Sequence, residues 1–542
     1  MNARLDGKHI RIYDAFMIKE SIKEIPGRFY DADDKAWVVP LSSENVSLLG
    51  LLGVALDDSL LPCVQKEEAQ HEEPIYPMPI KATPYQHQVR AFNFAMHQFI
   101  QDHEKACAFL MDMGTGKTIT TIAVAGVLFQ QGKIKRMLVV APKSIVEVWR
   151  QEFDKFAAFP YSVVVLDGDS GKKADTIRHM SGSGLQVIVV NYESCWRLDN
   201  VIVKWQPNMI VCDESSKIKN PQAKCSKSLH KLGAMSKFNL ILTGTPITNS
   251  PLDFFSQYKF LDERIFGSSF FRFRGQYAIL GGYQNHQIVG YKHLAELVEK
   301  AHGVAYRIKI DEAVELPEFV EEIRPVKLEA KAQQIYDSID KDSYAELMSG
   351  EVTVRNVLTR LLRLSQCTGG FIRNDAGDAL QQISSAKLEA LEDIIDSCME
   401  ERKKVVVFAR FVPEIDAISA MLRKKKIAYA LIKGDVKDRA EQVDEFQNND
   451  EVRVFIGQLQ TTGMGLTLTA GSVAVYYSLD FSYANYEQSR ARVRRIGQQK
   501  RGVYIHLVCK DTIDETVMSA LRKKADVSKL LVYDYKKILG GS

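Results

Sequence analysis

Hydrophobic residues follow two rhythms along this chain. In the first, short unbroken apolar runs recur at Ala106 to Leu110, Met137 to Pro142, Val163 to Leu166, Val187 to Val190, Met209 to Cys212 and Asn239 to Leu242. Runs without polar alternation predict strands buried on both faces, as in a parallel sheet. The rhythm returns at Lys404 to Phe408, Ala428 to Ile432, Val452 to Ile456, Val473 to Tyr477 and Tyr504 to Val508. In the second rhythm, apolar residues recur at helical spacing, as in Val89, Phe92, Phe94, Ala95 and Phe99, or Ile119, Ile122, Ala123, Val124, Val127 and Leu128. Further helical segments are predicted at Phe254 to Leu261, Leu294 to Ala301, Ala330 to Asp340 and Val357 to Leu364. Strands that alternate with helices in this way predict an α/β fold.

The first residues read differently. Ile10 and Ile12 mark a short strand, and Phe16, Ile18, Ile22 and Ile25 an amphipathic helix that Pro26-Gly27 ends. Phe29 and Tyr30, a polar turn from Asp31 to Lys35, and Trp37 to Val39 then predict a hairpin. Residues 1–53 are therefore expected to form a small α+β unit. Residues 54–82 carry Asp57, Asp58, Glu67, Glu68, Glu72 and Glu73 among four prolines, a composition that predicts a linker.

Composition narrows the class without naming a chemistry. The 542 residues are too many for one core and suggest three or four domains. Hydrophobic content of 46% and charged content of 26% are those of a globular protein. A net charge of +3 means that any nucleic-acid surface must be local. No apolar run reaches the ~18 residues that span a membrane, and the N-terminus lacks an apolar signal core, so a cytoplasmic location is expected: nucleoid-associated in a bacterium, host cytoplasm for a virus. The eight cysteines are scattered with no C-x-x-C pair, which argues against a zinc site or a disulfide framework.

The chemistry begins at LMDMGTGKT, Leu110 to Thr118. An apolar strand leads in and a helix leads out, so the turn between them points backbone N–H groups at an anion. Gly114 and Gly116 let the backbone approach phosphate, with Met113 and Thr115 between and beside them. Lys117 is placed to reach the β- and γ-phosphates of a nucleotide and Thr118 to hold Mg²⁺. A full P-loop pattern has glycine where Met111 stands, and DMGTGKT is the form seen in superfamily-two helicases. The alternative is a glycine-rich turn before a core helix. Asp213-Glu214 closes the Met209 to Cys212 strand, where ligands bind in open α/β sheets. Asp213 is expected to hold Mg²⁺ through water, and Glu214 to orient and deprotonate the attacking water.

Thr243-Gly244-Thr245-Pro246, within LTGTPITNS, completes a set that resembles the SWI/SNF-type branch of superfamily-two helicase-like ATPases. The resemblance implies two RecA-like parallel-sheet lobes with helical protrusions, the first over residues 83–318 and the second over 319–542 with C-terminal helices. It places ATP in the cleft between the lobes and nucleic acid across the top. Gln86 matches the glutamine that reads the adenine edge. Lys143, Ser144, Asn191, Tyr192 and Thr243 on the first lobe, and Arg410, Thr461, Thr462 and Gly463 on the second, match nucleic-acid-contacting positions or motifs. Arg492 and Arg495, within QSRARVRRIGQ, match arginine fingers that reach the γ-phosphate. Arg490 and Arg494 beside them are candidates for phosphate-backbone contact. Three departures stand out. Ser215 and Ser216 replace the usual alanine and histidine, which leaves open what couples in the histidine's place, and Thr467 stands where asparagine is commoner.

Function follows as an expectation. The chain is read as an ATP- and Mg²⁺-using DNA-dependent ATPase that translocates on duplex or forked DNA, remodelling protein–DNA complexes or annealing and regressing DNA. A strand-separating helicase on DNA or RNA, and a nucleotide-gated clamp without motor activity, are the alternatives. The first 53 residues also resemble the HARP domain of annealing-helicase-type proteins, with Arg28, Tyr30, Lys35 and Trp37 as DNA contacts, or else form a plain accessory unit with Trp37 in its core. FFRFRGQY, Phe270 to Tyr277, either tracks a phosphate backbone or is an amphipathic helix with a solvated face.

Overall fold

The computed structural model describes residues 2–533 except 7–8, 24, 26, 32–33, 42–44, 46–47, 50–51, 53, 58–71, 283–286, 349–353, 374–379, 435, 437 and 462–465. Its contacts divide the chain into two units, Met1–Glu73 and Pro74–Ser542.

The first unit is a five-stranded sheet of β1 (Asn2–Asp6), β2 (His9–Tyr13), β3 (Phe29–Asp31), β4 (Ala36–Pro40) and β5 (Ala55–Leu56), in the order β3-β4-β2-β1-β5. Alternation in β2 buries Ile10 and Ile12 and leaves His9 exposed. A 3₁₀ turn, Ala15–Ile18, and a short helix, Lys19–Lys23, lay Ile18 and Ile22 on the same core. The expected hairpin is β3–β4, with Tyr30 opposite Trp37 and their rings 5.3 Å apart. The unit runs past residue 53, because Ala55 and Leu56 pair in parallel with Asn2 and Ala3.

The second unit holds two parallel sheets. The first contains β6 (Ala106–Met111), β7 (Arg136–Ala141), β8 (Tyr161–Val165), β9 (Leu185–Asn191), β10 (Met209–Asp213), β11 (Phe238–Leu242) and β14 (Ala305–Ile308), ordered β14-β6-β11-β10-β7-β9-β8. Every pairing in it is parallel. All residues of β6, β10 and β11 are buried, as their unbroken apolar runs require. A small hairpin, β12 (Ala278–Gly281) and β13 (Gln287–Tyr291), lies between β11 and β14 in the chain. The second sheet contains β15 (Phe319–Val326), β18 (Val405–Ala409), β19 (Tyr429–Ile432), β20 (Val454–Gln458), β21 (Val473–Tyr476) and β22 (Gly502–Cys509), ordered β15-β22-β21-β18-β20-β19 and again parallel throughout. The antiparallel pair β16 (Phe371–Arg373) and β17 (Leu380–Gln382) stands apart from it.

Two expectations change here, and one alternative is decided. The stretch after Glu73 is not a free linker: Tyr76, Met78 and Ile80 pack on the first sheet's core, and Lys81 N donates to Phe156 O at 2.8 Å. Apolar residues between the prolines supply that contact, which the acidic composition hides. The segment FFRFRGQY is an amphipathic helix, Phe270–Tyr277, with Phe273 and Tyr277 buried and Phe271 75% exposed. The last helix, Ile513–Val532, does not belong to the second lobe alone. Ile513, Val517 and Leu521 lie in the second lobe's core, whereas Leu531 and Val532 lie in the first lobe's. Among the described residues no helix is long and apolar enough to cross a membrane.

Candidate functional site

Parallel strands all end on one side of a sheet, so β6, β7, β10 and β11 deliver their following turns to a common edge. After β6, Gly114 and Gly116 adopt positive φ of 82° and 87°, which disfavours any side chain there. Gly116 leads into the helix Lys117–Gln130, whose N-terminus faces the edge. A Cβ on Gly116 would lie 2.1 Å from Gln88 Nε2. The turn is fixed from behind as well. Thr115 Oγ1 donates to Asp112 O at 2.7 Å, and Thr115 O is met by His87 Nε2 at 2.7 Å and Gln88 Nε2 at 3.2 Å. Gln86, the residue before these two, opens the helix Gln86–Met96 and is not among the residues lining the cavity described below.

Lys117 Nζ donates to Met111 O at 2.9 Å and Asp112 O at 3.1 Å, folded back over its own turn. Burial lowers its pKa, against the pull of the Glu214, Asp213 and Asp112 carboxylates. Asp213 ends β10, where its Oδ2 accepts from Trp149 Nε1 at 2.9 Å and its Oδ1 from Glu214 N at 2.9 Å. Burial first, and then Glu214, push the Asp213 carboxyl up to about 6. Glu214 sits at φ 51°, a backbone region that non-glycine residues adopt at a cost. Its Oε2 is buried and finds no hydrogen-bond partner among the described residues.

The second lobe supplies the opposite wall. Arg492 lies buried in the last turn of the helix Tyr483–Val493, and Arg495 follows that helix. Arg495 Nη1 donates to Thr467 Oγ1 at 2.9 Å and Leu466 O at 3.3 Å. A Cβ on Gly114 would stand 3.4 Å from Arg495 Cβ, so the turn of one lobe lies against the arginine of the other. Burial and the charge of Arg495 lower Arg492 to about 10, so both guanidiniums remain cations at neutral pH. Between the walls lies a cavity of about 560 Å³. Gly114, Lys117, Thr118, Asp213 and Glu214 line one side and Arg492 and Arg495 the other.

The residues expected to touch nucleic acid scatter. Lys143 and Ser144 line this same cavity. Asn191 caps the helix Tyr192–Arg197, accepting from Ser194 N at 2.7 Å. Tyr192 is not a surface residue: it is buried, and its hydroxyl donates to Asp213 O at 2.7 Å. Thr243 is likewise buried, its Oγ1 accepting from Thr245 N at 3.0 Å. Arg410 is half-buried, with its guanidinium 4.8 Å from the Phe411 ring. Thr461 Oγ1 donates to Gln458 O at 3.0 Å. Thr462 and Gly463 lie outside the described residues. Arg490 and Arg494 are held in ion pairs with Glu321 at 2.8 Å and Asp311 at 2.6 Å. Helical spacing marks Trp149 only as core, and nothing local marks His87 or Gln88; their partners are tens of residues away.

Two family models match the chain. A model of the SNF2-related domain matches residues 85–369, and one of the helicase conserved C-terminal domain matches residues 386–497. The chain belongs to the SNF2-related family. An uncharacterized ATP-dependent helicase of Mycoplasma genitalium is 26% identical over 445 residues, covering 80% of this SNF2-related chain and 41% of that protein. A DNA repair and recombination protein, RAD54-like, of Danio rerio is 25% identical over 475 residues, covering 80% and 64%. An ISWI chromatin-remodeling complex ATPase of Saccharomyces cerevisiae is 26% identical over 471 residues, covering 82% and 40%. The chain thus spans less than two thirds of the length of these relatives. A solved SWI2/SNF2 ATPase core from Sulfolobus solfataricus in complex with dsDNA is 23% identical at a TM-score of 0.40, covering 86% of this chain and 98% of that one.

Proposed function

We propose that the chain is a DNA-dependent ATPase that translocates on duplex or forked DNA, remodelling protein–DNA complexes or annealing and regressing strands. The observation that carries this reading is the cavity in which Lys117, Asp213 and Glu214 face Arg492 and Arg495 across two lobes. The names of the relatives, which include a DNA repair and recombination protein and a chromatin-remodeling complex ATPase, favour DNA as the track.

The chain's own groups suffice to outline hydrolysis. The backbone N–H groups from Gly114 to Thr118 and the helix N-terminus receive the phosphates. Lys117 exchanges its carbonyl partners for phosphate oxygens. Glu214, whose Oε2 has no partner among the described residues, accepts a proton from the attacking water. The water oxygen bonds to the γ-phosphorus as the bond to the bridging oxygen breaks, and that electron pair leaves with ADP. Arg492 and Arg495 stabilise the charge spread over the transferred group, and Gln86 is assigned to the adenine edge. The hydroxyl of Thr118 and the carboxylate of Asp213, beside a buried and unpartnered carboxylate oxygen, fit a divalent cation and would hold it. When bound, Mg²⁺ neutralises phosphate charge.

Because the arginines come from the other lobe, ATP binds a closed cleft better than an open one, and its loss releases the lobes. Alternating grip on DNA then gives movement. Lys143, Ser144, Arg410 and Thr461, with Thr462 and Gly463, are assigned to the DNA path. Tyr192 and Thr243 act from beneath it through Asp213 and Thr245. The half-exposed Tyr30, with Arg28 and Lys35, is assigned to DNA contact by the N-terminal unit.

The test is the steady-state ATPase rate without nucleic acid and with single-stranded DNA, duplex DNA, forked DNA and RNA, with Glu214→Gln as control. Stimulation by duplex or forked DNA supports the reading. Stimulation by single strands or RNA alone favours a strand-separating helicase. No response to any nucleic acid removes the motor and leaves a clamp.

A further inference from the structure

The residue after the hydrolysis pair is a serine, and its hydrogen bond leads away from the cavity. Ser215 is fully buried, and its Oγ donates to Gln257 Oε1 at 2.7 Å. Gln257, equally buried, lies on the helix Phe254–Leu261. Its amide nitrogen spends both hydrogens, one on Pro246 O at 2.8 Å and one on Asp253 O at 2.8 Å. Pro246 belongs to the turn after β11. The Asp253 carboxylate holds the far end of the same turn: its Oδ2 accepts from Thr248 N at 2.9 Å, Thr248 Oγ1 at 3.0 Å and Asn249 N at 2.8 Å. Asn249 Oδ1 in turn accepts from Lys524 Nζ at 3.3 Å, and that ammonium also donates to Phe481 O in the second lobe at 2.8 Å.

We infer that Ser215 and Gln257 are positioning residues that link the state of Glu214 to the 243–249 turn and, through Lys524, to the second lobe. The inference rests on the ATPase reading above and fills the place left open by the absent histidine. Three physical features support it. A buried polar network is stable when every member is paired and costly when one pairing fails, so its members move together. Glu214 occupies a strained backbone conformation directly before Ser215, so a change at Glu214 that relaxes it displaces Ser215. Thr245 Oγ1, in the same turn, is buried without a hydrogen-bond partner among the described residues, so the turn is not at its polar optimum in this state. An alanine and a leucine would fill the space between Ser215 and Gln257 without this linkage.

The experiment is hydrogen exchange at the amides of Thr248 and Asn249 with and without a non-hydrolysable ATP analogue and Mg²⁺. It is run on the full chain and on Ser215→Ala, Gln257→Leu and the double variant, with basal ATPase, ATP affinity and thermal stability measured on each. The expected result is that nucleotide changes exchange by about fivefold or more in the unaltered chain. Each single variant loses that change, the double loses no more than either single, and basal ATPase stays within about twofold. The double variant replaces both partners by apolar groups, which is nearly neutral for folding, and so keeps the test meaningful where a single variant folds poorly.

The inference is overturned if the unaltered chain shows no nucleotide response at these amides, or if the response survives both single variants. It is also overturned if the response is lost only together with stability and ATP affinity, as for a merely structural pair. The readout needs no DNA, so a failure of DNA to stimulate the unaltered chain would count against the translocase reading alone.

Discussion

On the first lobe, the groups that face the cavity are set by backbone. Gly114 and Gly116 turn the chain, and His87 and Gln88 hold Thr115 from behind. Trp149 and Tyr192 fix the side chain and carbonyl of Asp213. On the second lobe, the facing groups are two long cations. Arg495 is tied to Thr467 and Leu466, and burial lowers the pKa of both guanidiniums. A preformed turn of N–H donors binds an anion with little rearrangement, whereas buried cations gain most when an anion arrives. The difference assigns binding to the first wall and response to the second. It also explains why closure and hydrolysis coincide in the proposed cycle.

The sharpest way to separate the walls is Glu214→Gln. ATP binding should remain within about threefold while hydrolysis falls about 10³-fold, measured by equilibrium binding and single-turnover hydrolysis. A parallel loss of both would mean that Glu214 shapes the first wall rather than the reaction.

The second lobe carries its own buried carboxylate away from the cleft. Glu414 Oε2 accepts from Arg410 N, Phe411 N and Ser478 Oγ, and burial pushes its carboxyl up to about 7. A carboxyl raised from its ordinary value stabilises the fold below about pH 4.5, and that contribution is lost as pH rises through about 7. Glu414→Gln should therefore remove up to about 3 kcal/mol of the stability lost between pH 5 and pH 8, read from denaturant midpoints of variant and parent. An unchanged pH dependence would show that Glu414 stays charged in the fold.

Gly116→Ala strikes the first wall alone. A positive φ and a Cβ 2.1 Å from Gln88 Nε2 should cost about 2 kcal/mol and weaken ATP binding more than they slow the hydrolysis of bound ATP. Equal losses in the two would merge the walls. Trp149→Phe keeps the ring packing but removes the donor to Asp213. Half-saturating Mg²⁺ for ATPase should rise about tenfold with little change in thermal stability. A loss of stability with no change in Mg²⁺ dependence would make Trp149 core alone.

Much of this was legible in the sequence where the information is local. Unbroken apolar runs marked β6, β7, β10, β11 and β18, and the polar residues just beyond them marked the strand-end turns. Lys117, Asp213 and Glu214 could be placed that way. Arg492 and Arg495 needed a resemblance, because nothing near them in the chain says that they face a turn almost 400 residues earlier. What stayed hidden depends on distant partners. The resemblance made Tyr192 and Thr243 nucleic-acid contacts, yet both are buried. Residues 74–82 read as a linker by composition, yet Tyr76, Met78 and Ile80 find an apolar face. The last helix gives no sign in its own pattern that its first and last turns join different cores.

The most direct measurement is ATP affinity and single-turnover hydrolysis on Arg492→Ala with saturating duplex DNA. A cleft that one lobe builds and the other completes predicts affinity within about threefold of the parent and hydrolysis slower by about 10³-fold or more. Hydrolysis at the parental rate would contradict a site shared between the two lobes.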